Sequence, residues 1–127
     1  MSNEEIVQAI YAAVAANDLE RVLAFLAPEV VAYQADSLSY GGRYDGHEGF
    51  RRMGAAIFNT WQDFKSVPSD FVAAGVYVVV FATMTATSRT TGQPWQMPLA
   101  ECWQLRDGLV TEIRPFYWDT QATIDLL

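Results

Sequence analysis

Apolar residues in the first half of the chain recur at helical spacing and predict three helices. Ser2 and Glu5 form a capping-box pattern, and the apolar stripe behind it predicts a first helix to about Ala16. A second capping pattern starts at Asn17 and opens a short helix that Pro28 ends. The third stripe has the spacing of one helix face and consists of Phe50, Met53, Gly54, Ile57, Phe58 and Trp61.

The second half of the chain has the pattern of an antiparallel sheet. A strand at 30–34 and an irregular loop at 36–46 precede the third helix, and four β-rich runs follow it at 64–73, 76–88, 95–106 and 109–118. Asp107 and Gly108 predict a two-residue hairpin turn, and Asp119 is placed to cap a last helix over 119–127. Helices followed by a meander predict one α+β domain over residues 1–127, with the helices packed on one face of a curved antiparallel sheet.

The hairpin turn also predicts which residues of the last two strands face each other. With Asp107 and Gly108 as the only loop residues, Glu101 lies opposite Arg114. The apolar residues on that face are Met97, Leu99, Trp103, Leu105, Val110, Phe116 and Trp118. The pair has two interpretations: it orients a polar group of a ligand in an apolar pocket, or it is a surface ion pair worth about 0.2–1 kcal/mol. The pattern leaves open which face of these strands is concave.

Composition narrows the function classes. The 127 residues, 51% of them hydrophobic, suffice for one core, and a net charge of −7 argues against a nucleic-acid or anionic-membrane surface. The longest apolar run, 76–82, is too short to span a bilayer, and the acidic first residues do not resemble a signal peptide, so we expect a cytoplasmic protein. One cysteine, Cys102, and one histidine, His47, cannot form a zinc site, and we expect neither a metal nor a cofactor.

Several short segments carry a family resemblance in their order and spacing. They are Asn17-Asp18-Leu19-Glu20, Leu26-Ala27-Pro28-Glu29-Val30-Val31, Tyr40-Gly41-Gly42-Arg43-Tyr44-Asp45-Gly46, Trp103-Gln104-Leu105-Arg106-Asp107-Gly108 and Phe116-Tyr117-Trp118-Asp119-Thr120. In these the chain resembles the SnoaL-like branch of the NTF2-like, ketosteroid-isomerase-like superfamily. The resemblance implies a cone of curved sheet closed by helices, a ligand cavity inside it and a dimer formed through the sheet. It implies no single reaction, because this fold hosts many.

The resemblance carries over to only some of the family's functional residues. Asp119 follows the last strand, where SnoaL-like polyketide cyclases have an acid/base aspartate. The general base of the ketosteroid isomerases falls on Gln34, and their first-helix tyrosine falls on Ile10. Asp36 and Tyr11 lie close by, and a gap of one or two positions would bring either into place.

Three residues are the candidate catalytic groups. Asp119 is either a base whose pKa is raised in an apolar cavity or only a helix cap. Glu101, if protonated, could donate a hydrogen bond to an enolate oxygen, a role that a buried aspartate has in ketosteroid isomerase. Tyr40 lies in the loop and could close over a ligand, or it is an ordinary turn residue. The candidate ligand-binding residues, each with a core or surface role as its alternative, are Arg114, His47, Trp103, Phe116, Trp118, Phe58 and Trp61.

The sequence therefore predicts a pocket for a small hydrophobic molecule. The leading hypothesis is a cofactor-independent acid/base enzyme, similar to a polyketide cyclase, isomerase or lyase, that acts on a carbonyl compound. The alternative is a non-catalytic ligand-binding or dimerisation module of the same fold. In either case we expect a homodimer that binds neither nucleic acid nor membranes.

Overall fold

The computed structural model describes residues 1–127 as four helices and one curved, unclosed sheet of six strands. The helices are α1 (Asn3–Ala15), α2 (Leu19–Ala24), α3 (Gly46–Thr60) and α4 (Thr120–Ile124). The strands are β1 (Leu26–Gln34), β2 (Gly42–Asp45), β3 (Trp61–Ala74), β4 (Tyr77–Ser88), β5 (Pro94–Arg106) and β6 (Leu109–Tyr117). They lie in the order β2-β1-β6-β5-β4-β3, and the predicted α+β class is confirmed.

The helix boundaries follow local capping chemistry. At α1 the predicted capping box is present, with Glu5 N–H donating to Ser2 Oγ at 3.1 Å and Ser2 N–H donating to the Glu5 carboxylate at 2.9 Å. Asn17 is not the cap of α2, because it has φ 55° and leaves that role to Asp18. Pro28 does not end α2 either; it lies in β1, which starts as soon as the helix stops.

Two strands extend the predicted meander. The antiparallel order β3-β4-β5-β6 is as predicted, but β1 adds to β6 in parallel, with Ala32 beside Ile113. The predicted loop contains β2, which pairs with β1 through Val31 and Asp45. Trp61, predicted to be the last residue of a helical stripe, begins β3. The sheet therefore has six strands and a parallel pair.

A β-bulge corrects the predicted register of the last hairpin. Asp107 and Gly108 form the turn with φ 52° and 79°, as a two-residue hairpin loop requires. Leu105 then pairs with Val110, but Gln104 pairs with Glu112, so Thr111 is an extra residue on β6. Because successive side chains point to opposite faces, this one residue changes every later partner.

The predicted pair of Glu101 and Arg114 is therefore wrong. Glu101 lies opposite Pro115, and Arg114 lies opposite Cys102. We call the side of the sheet that the helices cover the inner face and the other side the outer face. Glu101 projects from the inner face and Arg114 from the outer face.

The core lies between the inner face and the helices. Its strand residues include Val78, Val80, Ala82, Met84, Trp95, Met97, Leu99, Trp103, Leu105 and Ile113, and α1 adds Ile6, Val7, Ile10, Tyr11 and Ala13. Burial of this apolar surface stabilises the fold by about 25 cal/mol per Å². Glu101 is the only acidic or basic side chain among the buried residues. This exception to an apolar core marks the place to look for chemistry.

Candidate functional site

A carboxyl group and a tyrosine hydroxyl meet in the interior. Glu101 stands in the middle of β5, between Val80 of β4 and Pro115 of β6. Tyr11 comes from α1, where it lies one turn after Val7 on the buried stripe of the helix. The Tyr11 hydroxyl donates a hydrogen bond to Glu101 Oε1, and it is the one partner of that carboxyl group. Helix and sheet thus bring together two residues that are 90 positions apart.

Burial controls the protonation of this pair. Desolvation raises the pKa of Glu101, and the hydrogen bond from Tyr11 opposes the rise in part. Desolvation also raises the pKa of Tyr11, and the nearby Glu101 charge adds to the effect. No buried cation favours the carboxylate, so the interior holds a carboxyl group that gains a proton more readily than a surface glutamate.

Aromatic rings surround the pair and leave one donor free. Phe71 and Trp103 each contact the Tyr11 ring edge-on, with centroids 5.8 Å away. The Trp103 indole N–H is buried and faces the Tyr11 hydroxyl, whose pKa it lowers, without forming a hydrogen bond of good geometry; the buried Ser66 hydroxyl has no hydrogen-bond partner. Buried polar groups in native proteins are nearly always paired, so each of these groups calls for a functional explanation.

A second polar chain runs through the interior beside the pair. Trp61 Nε1 donates to the Tyr40 hydroxyl at 3.0 Å, which lies 3.4 Å from the Tyr117 hydroxyl. Tyr117 in turn donates to Gln34 Oε1 at 3.3 Å. Desolvation is the main cause that raises the pKa of Tyr117, and Glu101 contributes through its charge. The two clusters therefore belong to one polar centre in the apolar interior.

Tyr40 has a different position from the one that its sequence context suggests. It lies in the segment between β1 and β2, but its side chain is buried and its hydroxyl contacts Trp61 and Tyr117. Desolvation raises the pKa of Tyr40, so its hydroxyl stays neutral. It is a fixed part of the interior chain and not a group that closes over the site from outside.

Two other predicted site residues lie at helix ends. The Asp119 side chain is exposed and accepts a hydrogen bond from Ala122 N–H at 3.2 Å, which makes it the N-cap of α4. His47 Nε2 lies 3.0 Å from the carbonyl oxygen of Leu26 and ties α3 to β1. Neither residue takes part in the hydrogen bonds of the interior centre.

The remaining predicted ligand-binding residues divide between the interior and the surface. Trp61 and Trp103 are buried, and Trp61 stacks on Trp95 at 4.2 Å. The exposed aromatic side chains are Phe58 at 68%, Phe116 at 58% and Trp118 at 84%.

Arg114 is also on the surface, where its guanidinium lies 4.0 Å from the Tyr33 ring centre and 3.7 Å from the Glu112 carboxylate. Phe116 and Arg114 line a small surface pocket of about 320 Å³ at the end of the β1–β6 pair. Arg114 therefore lies on the opposite face of the sheet from Glu101 and does not contact it.

A groove between α1 and β3 reaches the interior centre. It has a volume of about 470 Å³, and its walls are formed by Gln8, Tyr11, Ala12, Ala15, Ser66, Val67, Pro68 and Phe71. Tyr11 is therefore shared: its ring lines the groove, and its hydroxyl binds Glu101. The groove is the larger of the two described openings and the more apolar one.

Sequence reasoning named Glu101 but missed most of its neighbours. Tyr11 entered only as a neighbour of Ile10, although its place on the buried stripe of α1 was a usable signal. Gln34 lies at every second position after buried Val30 and Ala32, on the same face of β1, which indicates that its amide points inward.

No group of three or more His, Cys, Asp or Glu side chains is arranged to hold a metal ion, and no helix is long and apolar enough to cross a membrane.

Comparison with solved structures gives the same fold. An NTF2-like protein of unknown function from Burkholderia pseudomallei is 27% identical, with a TM-score of 0.91 over 99% of this chain and 98% of its own. TerC, co-crystallised with polyporic acid, is 28% identical, with a TM-score of 0.88 over 96% of this chain and 95% of its own. A putative SnoaL-like polyketide cyclase from Jannaschia sp. CCS1 shares 19% identity and a TM-score of 0.83 over 99% and 94% of the two chains.

Family comparison agrees with these structures. No curated protein matches the sequence. The SnoaL-like domain family matches residues 7–113, a segment that contains most of α1, all of α2, α3 and β1 to β5, the polar pair and part of β6. The chain therefore belongs to the SnoaL-like domain family and has the NTF2-like fold.

Proposed function

We propose that this protein binds a small hydrophobic carbonyl compound, of polyketide or aromatic type, and promotes proton transfer within it without a cofactor. One observation carries the proposal: the only buried carboxyl group of the chain shares a hydrogen bond with a buried tyrosine among aromatic side chains. Apolar pockets with a few placed polar groups are the usual sites for such ligands.

In the proposed reaction Glu101 carries the proton and Tyr11 binds the oxygen. The carboxylate removes a proton from the carbon next to the carbonyl group, and the electrons of that C–H bond move into the enolate. The Tyr11 hydroxyl, now turned to the ligand, donates a hydrogen bond to the enolate oxygen. Where the carbonyl compound has a C=C bond conjugated with the enolate, Glu101 then returns the proton to the far carbon of that dienolate, and the double bond moves. The raised pKa of Glu101 makes it a stronger base than a surface glutamate.

Similarity to TerC supports the aromatic part of this ligand class. The ligand in that structure, polyporic acid, is an aryl-substituted hydroxyquinone, a compound with ring carbonyl and hydroxyl oxygens. A ligand of this kind has flat apolar faces for Phe71 and Trp103 and an oxygen for Tyr11. The likeness to the putative polyketide cyclase supports the fold alone.

Turnover of a panel of apolar carbonyl compounds tests the proposal. Glu101→Gln should lower kcat by about 10² to 10⁴ because it removes the proton carrier. Tyr11→Phe should lower kcat by about 10² because it removes the oxygen-binding donor. Asp119→Asn is the matched control, since asparagine also caps helices and the exposed side chain lies outside the centre. Loss of turnover in Asp119→Asn, with turnover retained in Glu101→Gln, would show that Asp119 and not Glu101 is the general base.

A non-catalytic binding module is the second candidate. It is favoured by the single carboxyl group in the interior, which leaves no second acid or base to share the proton transfer. A ligand at about 100 times its Kd would then stabilise wild type by about 2.7 kcal/mol without any conversion. Conversion by wild type, measured by NMR of the product and by deuterium uptake from D2O in mass spectrometry, decides between the two.

We also propose that two copies of the chain associate through the outer face. Phe81 of β4, Ala100 of β5 and Phe116 of β6 form a row across three strands, and Phe81 and Phe116 are 48% and 58% exposed. The backbone N–H of Trp118 donates to the Pro98 carbonyl at 3.0 Å beside this row, and the Trp118 side chain is 84% exposed. A contiguous exposed apolar patch of this kind is typical of an interaction surface, and homodimers are the commonest oligomers. Light scattering of purified protein tests this state.

A further inference from the structure

The groove between α1 and β3 contains a polar group that the proposed reaction does not use. Ser66 lines the groove from β3, and its hydroxyl oxygen is buried and has no hydrogen-bond partner. In the sheet it lies opposite Met84, whose thioether side chain cannot donate a hydrogen bond. An unpaired buried hydroxyl costs about 1–3 kcal/mol, so a group that satisfies it on binding would be favoured.

The position of Ser66 relative to Tyr11 suggests the shape of the ligand. Tyr11 forms a hydrogen bond with Glu101, which lies in the same row of the sheet as Val80 and Phe71. Ser66 lies further along β3, and Pro68 separates it from the Phe71 row. The two polar groups are thus at different places along one apolar groove.

The rest of the groove is suited to a flat apolar molecule. Its volume of about 470 Å³ falls within the range of small-ligand pockets, about 300–1,000 Å³. Ala12 and Ala15 of α1 leave room on the helix side, and Pro68 and Phe71 form an apolar wall on β3. No charged side chain lines the groove, so the ligand that it favours is uncharged.

We propose that this groove binds an elongated aromatic ligand with an oxygen at each end, and that Ser66 selects for the oxygen remote from Tyr11. The inference rests on the proposed function for the oxygen held by Tyr11. It adds the route of entry, the elongated shape and a second point of recognition. Ser66 is a specificity-determining residue and takes no part in proton transfer.

Two probes that differ by one hydroxyl group test the role of Ser66. We expect 2,6-dihydroxynaphthalene to bind wild type more tightly than 2-naphthol in isothermal titration calorimetry. Ser66→Ala should weaken the diol by roughly three- to tenfold, the effect of one neutral hydrogen bond, and leave 2-naphthol unchanged. Ser69→Ala is the matched control, because Ser69 is exposed on the same strand and its hydroxyl already donates to the Phe81 carbonyl. Equal affinities of Ser66→Ala and wild type for the diol would overturn the selection.

A second pair of variants tests the groove itself. Ala12→Phe fills it and should weaken both probes by more than about tenfold, whereas Ala55→Phe places the same ring on an exposed position of α3 and should not. Circular dichroism and Tm identify any variant that fails to fold. Unchanged binding to Ala12→Phe, or no binding of either probe to wild type at about 1 mM, would overturn the groove as a site for this ligand class. These experiments measure binding alone, so their outcome does not depend on whether the protein shows turnover. Failure of the proposed reaction and failure of the groove as a binding site can therefore be told apart.

Discussion

The inner and outer faces of the sheet place similar carboxyl groups in opposite surroundings. On the inner face Glu101 is buried, has a tyrosine as its partner and lacks a cation. On the outer face Glu112 keeps 34% of its side-chain surface exposed and lies 3.7 Å from the guanidinium of Arg114. Desolvation therefore raises the pKa of Glu101, whereas water and salt screen the charge of Glu112.

The comparison shows that the chemical behaviour of a side chain on this sheet depends on the face from which it projects and not on its residue type. Surface ion pairs contribute about 0–1 kcal/mol to the free energy of unfolding. The stability contribution of a buried ionisable group without a counter-charge depends strongly on the groups packed around it. The sequence paired Arg114 with Glu101, but its guanidinium is stacked on the Tyr33 ring on the outer face. Tyr11 appears to be a core residue but holds the one buried acid.

The largest effect should come from placing a new charge on each face. Leu105→Lys buries an ammonium group on the inner face, four residues along β5 from Glu101, and should destabilise the fold by at least about 3–5 kcal/mol, since no other buried carboxyl group can act as its counter-ion. Phe116→Lys puts the same charge on the outer face and should change monomer stability by only about 0.5 kcal/mol while dissociating the proposed dimer. Urea unfolding and light scattering measure the two outcomes. Equal loss of stability in both variants would contradict the contrast.

Removing one hydroxyl group from each face should give the next largest effect. Tyr11→Phe deletes the partner of the buried carboxyl group and should lower the free energy of unfolding by about 1.5–3 kcal/mol. It should also raise the pKa of Glu101 further, because the Tyr11 hydrogen bond lowers it. Tyr33→Phe on the outer face should have an effect within about 0.5 kcal/mol. Chemical unfolding at neutral pH gives both values.

The pH dependence of stability separates the two faces again. Since the folded-state pKa of Glu101 lies above its unfolded value, the native state binds more protons between the two values. The contribution of Glu101 is complete below the unfolded pKa and is lost as pH rises through the folded one, at up to about 1.4 kcal/mol per pH unit. Glu101→Gln should flatten this fall, and Glu112→Gln should leave it in place. Urea midpoints from pH 4 upward measure the slopes; a slope that survives in Glu101→Gln would assign it to another group.

The smallest effect should come from the outer ion pair. Glu112→Gln removes the partner of Arg114 and should change the free energy of unfolding by no more than about 0.5 kcal/mol, an effect that 1 M salt removes. The Arg114 guanidinium keeps its contact with the Tyr33 ring in this variant. A loss above about 1.5 kcal/mol at high salt would show that the pair is structurally important.

Local chemistry in the sequence predicted the local structure well. The capping box at Ser2 and the turn at Asp107 and Gly108 depend on a few adjacent residues, and both were confirmed. The parallel pairing of β1 with β6 depends on where a distant strand lies, and no local pattern contains that information. The bulge at Thr111 has no strong residue signature, so the register after it was wrong.

The candidate site was predicted only in part for the same reason. Glu101 was noticed because a carboxyl group in an apolar strand is unusual in any context. Its partner Tyr11 lies 90 positions away, and the contact depends on how α1 packs on the sheet. Arg114 was assigned to Glu101 by a pairing that one extra residue cancels.

That extra residue has an evolutionary consequence. The bulge at Thr111 sets the register of β6, because in a strand of this length it decides which alternate residues point inward. A one-codon insertion after Thr111, with the turn and the bulge retained, would place Arg114 opposite Glu101 and convert a proton-holding acid into an ion pair, without substituting any site residue. Within this fold, a change in strand length is thus a mutation of the site's chemistry, and relatives that align residue for residue on either side of such a gap can differ in what they catalyse.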